Sequence, residues 1–176
     1  KTAQANTQTG AIAIGATTTA TAKSSAALGT SRESTAQSTV AIGSTAKAKG
    51  NNAVAVGDQA ESTSYGTVSL GQAAGRVTGT RAGNNSVFIG VTAGDQSNNN
   101  EGQIAIGWRA AQRSQGAHNI ASGFEAGQYI NGTGNVAMGY KAGQGATTPG
   151  TGQPDPALKN LNYTVAVGTS ATVGAD

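Results

Sequence analysis

A four-residue phrase, apolar-x-apolar-Gly, recurs ten times along this chain and restricts its fold more than any other feature. The copies are Ile12-Ala-Ile14-Gly15, Ala26-Ala-Leu28-Gly29, Val40-Ala-Ile42-Gly43, Val54-Ala-Val56-Gly57, Val68-Ser-Leu70-Gly71, Val87-Phe-Ile89-Gly90, Ile104-Ala-Ile106-Gly107, Ile120-Ala-Ser122-Gly123, Val136-Ala-Met138-Gly139 and Val165-Ala-Val167-Gly168. The glycines stand 14, 14, 14, 14, 19, 17, 16, 16 and 29 residues apart. A unit this short cannot close a core alone, so successive copies must stack on one another.

Alternation over three residues with β-branched side chains reads as a short strand. Glycine then ends it, because a tight turn there needs a residue free to take positive φ. The expected turn glycines are Gly15, Gly29, Gly43, Gly57, Gly71, Gly90, Gly107, Gly123, Gly139 and Gly168. Three positions later comes a small residue, at Ala46, Ala60, Ala74, Ala93, Ala110, Ala126, Ala142 and Ala171, with Thr18 and Arg32 departing. Each copy therefore reads as strand, turn, strand, turn, one rung of an all-β parallel solenoid. About ten coils, mostly of 14–16 residues, make a single domain over 1–176. The strict coils occupy 10–71 and the longer ones 72–143; an insertion holding Pro149, Pro154 and Pro156 fills 144–163, and the last coil is 164–176.

The large residues of each strand are expected to form the interior: Ile12, Ile14, Val40, Ile42, Val54, Val56, Val68, Leu70, Val87, Ile89, Ile104, Ile106, Val136, Met138, Val165 and Val167. The intervening Ala13, Ala41, Ala55, Ala105 and Ala137 then point outward, as a row against which another backbone can pack. Two such large side chains per coil return less free energy than ordering 14 residues costs, so a second buried face is expected, supplied by a homo-oligomer.

Composition supports a repeat protein and excludes several functions. Only 36% of residues are hydrophobic, many of them Ala, which is too little for an ordinary globular core. Net charge is +3 with no run of Lys and Arg, so no nucleic-acid partner is expected. With no Cys and one His, His118, neither a disulfide framework nor a metal set is expected. The sequence contains no Gly-Lys-Ser/Thr phosphate loop, no calcium-binding Asp repeat and no nucleophile–base arrangement. No cofactor and no catalysis are expected. No stretch approaches membrane-spanning length, and the N-terminus has no charged region followed by an apolar run, so no signal peptide is expected.

Val40-Ala-Ile42-Gly43-Ser-Thr-Ala46 and Asn85-Ser-Val87-Phe-Ile89-Gly90 resemble the head repeats of trimeric autotransporter adhesins of the YadA type, and the resemblance runs over about residues 10–174. It implies a left-handed parallel β-roll, three of which stand side by side as a homotrimer. It implies an extracellular head on the bacterial cell surface, tied to the outer membrane only through a C-terminal anchor absent from this stretch. The implied partners are a second and third copy and a host extracellular matrix protein, such as collagen, or a cell surface. The 16-residue coils and the insertion depart from the strict head repeat, which bears on collagen. The alternatives are a tail-fibre type carbohydrate-binding trimer and an ice-binding solenoid, the latter prompted by the Thr residues of 16–23.

Three coils share a longer signature: Gly107-Trp-Arg-Ala-Ala-Gln112, Gly123-Phe-Glu-Ala-Gly-Gln128 and Gly139-Tyr-Lys-Ala-Gly-Gln144. Stacked rungs lie about 4.8 Å apart, so Trp108, Phe124 and Tyr140 should form an aromatic ladder beside a charge ladder of Arg109, Glu125 and Lys141. The aromatics either widen and cover the interior of the larger coils or form an exposed ligand surface. The charges read as a solvated edge. Residues 95–102 read as a polar spacer, Arg76, Arg81, Arg109 and Arg113 as solvated, and Leu158, Leu161 and Tyr163 as anchors of the insertion.

Overall fold

The computed structural model describes residues 3–5, 9–31, 33–77, 83–98, 101–145 and 162–172. All of its regular structure is β. Ten three-residue strands, Ile12–Ile14, Ala26–Leu28, Val40–Ile42, Val54–Val56, Val68–Leu70, Val87–Ile89, Ile104–Ile106, Ile120–Ser122, Val136–Met138 and Val165–Val167, form one sheet in chain order. Every pairing is parallel, and the register matches like with like: Val54 lies opposite Val40 and Val68, and Ala55 opposite Ala41 and Ser69. A second sheet of five two-residue strands, from Gln4–Ala5 to Glu61–Ser62, runs beside the 14-residue coils only. In the longer coils its place is taken by turns, with isolated bridges linking Asn98, Gln115 and Asn131.

The corners explain the glycines. All ten turn glycines hold φ between +115° and +136°, a region closed to residues with a Cβ. They also stack directly. A Cβ on Gly43 would fall on the carbonyl of Gly57, and one on Gly57 on the carbonyl of Gly71. That proximity carries the ladder round the corner: Gly57 N–H donates to the Ile42 carbonyl at 2.7 Å and Gly71 N–H to that of Val56 at 2.8 Å.

The interior is the reverse of the sequence expectation. In nine of the ten long strands the middle residue is the buried one: Ala27, Ala41, Ala55, Ser69, Ala105 and Ala137 have no exposed surface. The flanking Ile12, Ile14, Val40, Ile42, Val54, Val56, Val68, Leu70, Val87, Ile89, Ile104, Ile106, Val136, Met138, Val165 and Val167 are half-buried or exposed on the outer face, and none is buried within the chain. Nor do the alternate alanines form an outward row; Ala41, Ala55, Ala105 and Ala137 face in, and Ala13 is half-covered. The physical reason is width. Strands of three and two residues, joined by connections of four and five, make a roll too narrow for two layers of branched side chains. Small residues fill it from both sides: Ala20, Ser34, Ala48 and Ser62 on the short strands, and Ala46, Ala60, Ala74, Ala93, Ala110, Ala126 and Ala142 at the turn before them.

Hydroxyls and amides complete this interior, nearly all of them partnered; the Gln103 Oε1 is the exception among the described residues. Thr39 Oγ1 donates to the Ala36 carbonyl at 2.6 Å and lies 2.7 Å from Ser34 Oγ. Ser62 Oγ donates to Ser69 Oγ at 2.8 Å. Asn119 Nδ2 donates to the Gly132 carbonyl at 2.8 Å, and its Oδ1 accepts the Asn135 backbone N–H at 2.9 Å. One large ring enters, Phe88, at the first of the longer coils. Gly94 and Gly75 make room for it, since a Cβ on either would strike the ring.

An Ala55→Leu variant should lose about 2–3 kcal/mol, or roughly 5–10 °C in Tm, through overpacking. Ala55→Ser should be tolerated, because the next rung already holds Ser69 in the matching place. Thermal circular dichroism reads both, and an unchanged melting point for Ala55→Leu would place Ala55 outside the core.

Candidate interaction surfaces

The outer face of the ten-stranded sheet is the largest apolar feature. Two columns run along it, the first and third residues of each strand, and each side chain stacks on its counterpart in the next rung. That stacking covers the flanks and leaves the tips open: Ile42 is 37% exposed, Ile106 41% and Met138 45%. The result is a continuous apolar face on a chain poor in large apolar residues. Breaks are few. Ala26 stands in the first column and Ser122 in the third.

The aromatic ladder forms, and it stands outside the roll. Trp108 and Phe124 stack with centroids 4.5 Å apart at 24°, and Phe124 and Tyr140 at 5.2 Å and 16°. Phe124 and Tyr140 are exposed and Trp108 half-buried, so the rings do not widen the interior. Each ring directly follows a turn glycine, which aims it away from the coil at the corner. The Arg109 guanidinium lies 4.0 Å over the indole ring, and Lys141 Nζ lies 5.4 Å from the Tyr140 ring centre.

Beside the rings, Glu125 bridges two cations, with Arg109 Nη1 at 3.5 Å and Lys141 Nζ at 3.6 Å. Its side chain is only 12% exposed, so this charge is set into the corner while its cations reach solvent.

A second polar ladder was not anticipated. Arg76 Nε donates to Asp95 Oδ1 at 2.9 Å, Gln112 Nε2 to Asp95 Oδ2 at 3.3 Å, Gln128 Nε2 to Gln112 Oε1 at 2.8 Å and Gln144 Nε2 to Gln128 Oε1 at 2.7 Å. All five residues stand five positions after a turn glycine, which was the sequence signal that could have found them. Asp95 is 1% exposed, so the start of the 95–102 segment is packed structure and no solvated spacer. The arginines are engaged as well. Arg76 and Arg109 are ion-paired, and Arg113 donates to Gln96 Oε1 at 3.1 Å. Arg81 lies outside the described residues, as do Leu158, Leu161 and most of the insertion. Tyr163 is described and 82% exposed, with its ring over Gly134.

Two open grooves mark the flanks. One, of about 520 Å³, is lined by Ser44, Thr45, Lys47, Asp58, Gln59, Glu61 and Arg76. The other, of about 360 Å³, is lined by Asn98, Gln115, Gly116, Asn131, Gly132, Thr133 and Asn162. Among the described residues no three His, Cys, Asp or Glu side chains gather where they could hold a metal ion. His118 is exposed at a corner and covers Gly102.

Replacing Arg76 by Ala should strand the buried Asp95 carboxylate on Gln112 alone, at a cost of about 3 kcal/mol in thermal unfolding. Glu125→Gln should cost about 1 kcal/mol, with the difference shrinking at high salt.

No curated protein and no solved structure matches the chain. The family model for the YadA head domain repeat matches twice, over residues 7–31 and 34–60. Each match takes in two turn glycines, Gly15 with Gly29 and Gly43 with Gly57, and so two rungs of the solenoid. Residues 7–31 and 34–60 are thus similar to YadA head domain repeats, and the later rungs continue the sheet of that stretch in register.

Proposed function

We propose that this chain is the head of a trimeric surface adhesin. Three rolls, coiled left-handedly as in YadA-type heads, associate through the apolar face of the ten-stranded sheet. The outer surfaces of the assembly attach to a host extracellular matrix protein, such as collagen, or to a cell surface. The head stands on the outside of a bacterium and is held to the outer membrane by an anchor beyond these residues. Its role is attachment without catalysis.

The observation that carries this reading is the pairing of an alanine-filled interior with an outward row of Val, Ile, Leu and Met. A roll that spends its small residues inside and displays its large ones gains most of its hydrophobic stabilisation only when another surface covers the display. The face is periodic and free of charged side chains along both columns, which suits an identical neighbour rotated about a common axis. The match to YadA head repeats supports the same assembly. The outward side of the short sheet offers a solvated exterior instead. Thr19, Glu33, Lys47 and Glu61 stand there in register, with Lys49 Nζ 2.7 Å from Glu33.

Light scattering on the size-exclusion peak should return a mass near three chains. A Val40→Asp/Val54→Asp variant, which charges the apolar face and leaves the interior untouched, should fall to a single chain and melt at lower temperature. A wild-type chain that is monomeric and thermally stable would overturn the assembly. Attachment is read separately, by binding of the assembled head to immobilised collagen, to other matrix proteins and to cultured cells. Failure on all three would leave a trimer with no adhesive role and reject the function.

A further inference from the structure

The apolar face is not the same width along its length. In the strict coils the residue after the turn glycine is small or polar: Ala16, Thr30, Ser44 and Asp58, followed by Gln72. In the next four coils it is apolar, Val91, Trp108, Phe124 and Tyr140, before Thr169 returns a polar residue in the last. These side chains lie one glycine beyond Ile89, Ile106, Ser122 and Met138 of the third column, so in the later coils the apolar surface continues from the sheet around the corner.

The geometry of the rings decides what can meet them. Trp108, Phe124 and Tyr140 cover one another's faces at stacking distance, and the Arg109 guanidinium lies over the indole. A sugar ring held by aromatics lies flat on a ring face, and this ladder offers mainly edges. Edges set in a row one rung apart suit a matching ridge of protein side chains. The corner also carries no unpaired negative charge, because Glu125 is bracketed by Arg109 and Lys141.

We propose that the corner column of Val91, Trp108, Phe124 and Tyr140 is a contact between copies of this chain, seating its ring edges on the neighbouring protomer and widening the interface in the C-terminal coils. The occupant is a second copy because the column is continuous with the sheet face that such a copy covers. A protomer lying on Ile106 and Met138 reaches the corner one glycine away. The proposal rests on the assembly described above and adds that the two halves of the head are joined unequally. The wider seam also compensates a local break, since Phe124 stands beside Ser122, the hydroxyl that interrupts the third column.

Trp108 is the single tryptophan, so the unmodified chain reports on its own seam. In the assembled protein Trp108 should be quenched by acrylamide several-fold less than in the monomeric Val40→Asp/Val54→Asp variant, whose substitutions lie on distant rungs. A Phe124→Ser/Tyr140→Ser variant, with its far-ultraviolet circular dichroism unchanged, should self-associate about tenfold or more weakly by concentration-dependent light scattering. An assembled chain whose Trp108 is quenched as freely as in the monomer overturns this proposal while leaving the assembly intact. Equal association by the Phe124→Ser/Tyr140→Ser variant does the same. A wild-type chain that stays monomeric at every concentration overturns the assembly and this contact together.

Discussion

Everything in this molecule depends on how closely consecutive rungs approach at the glycine corner. A Cβ at Gly43, Gly57 or Gly107 would land on the carbonyl of the glycine one rung on, so the backbone itself forms the stacking surface there. That contact sets the coil's circumference, because a corner built from bare backbone turns within one residue. A short circumference brings the two walls together, and walls that close admit only Ala, Ser and Thr between them. Once the interior is committed to small residues, the strand's large residues have one place left, the outside. The apolar exterior is thus a consequence of the glycine corner.

The longer coils show the same constraint relaxed in a controlled way. Beyond Glu61–Ser62 the second sheet stops, and a turn series carrying Ala and Gly replaces it. The first wider rung takes in Phe88, with Gly75 and Gly94 leaving room for the ring. Beyond it Ile130 is also buried, the only large aliphatic side chain in the interior among the described residues. What hydrogen bonding the lost short strands supplied is taken over in part by side chains, through the chain from Arg76 and Asp95 to Gln144 and the Asn119–Asn135 pair. Amide ladders of this kind suit a solenoid, since identical groups at each rung can each donate upward and accept from below.

Much of this was legible in the sequence. The repeat length, the parallel stacking, the turn glycines and the stacking of Trp108 on Phe124 and Phe124 on Tyr140 all follow from spacing, because a solenoid converts a sequence interval into a spatial neighbour. The direction of the strand faces did not follow. Alternation shows that two faces differ, and a shift of one residue exchanges them. Reading the larger residues as core is sound for a wide sheet packed on another, and it fails for a narrow roll. The deciding signal was the variation in size. The middle position is Ala in eight of ten copies, whereas the outer positions range over Ile, Val, Leu, Met, Ala and Ser. The buried Asp95 was missed because "DQSNNNEG" looks like a loop by composition, and the Arg76 that partners it stands 19 residues earlier.

Separation of interior from surface also explains why one fold unit can carry different surfaces along a single chain. The positions that hold the roll together, the turn glycine, the middle strand residue and the small residue three beyond the glycine, are few and nearly uniform. The corner residue that follows the glycine touches none of the interior, so it passes from Thr30 and Asp58 to Trp108 and Tyr140 without altering the register of the rungs. Changes there alter the outer surface and leave how the chain folds alone. The same logic places the long insertion between Gly139 and Gly168, since the Val136–Met138 strand still pairs directly with Val165–Val167 across it. A solenoid can lengthen any one turn so long as the strands on either side still meet.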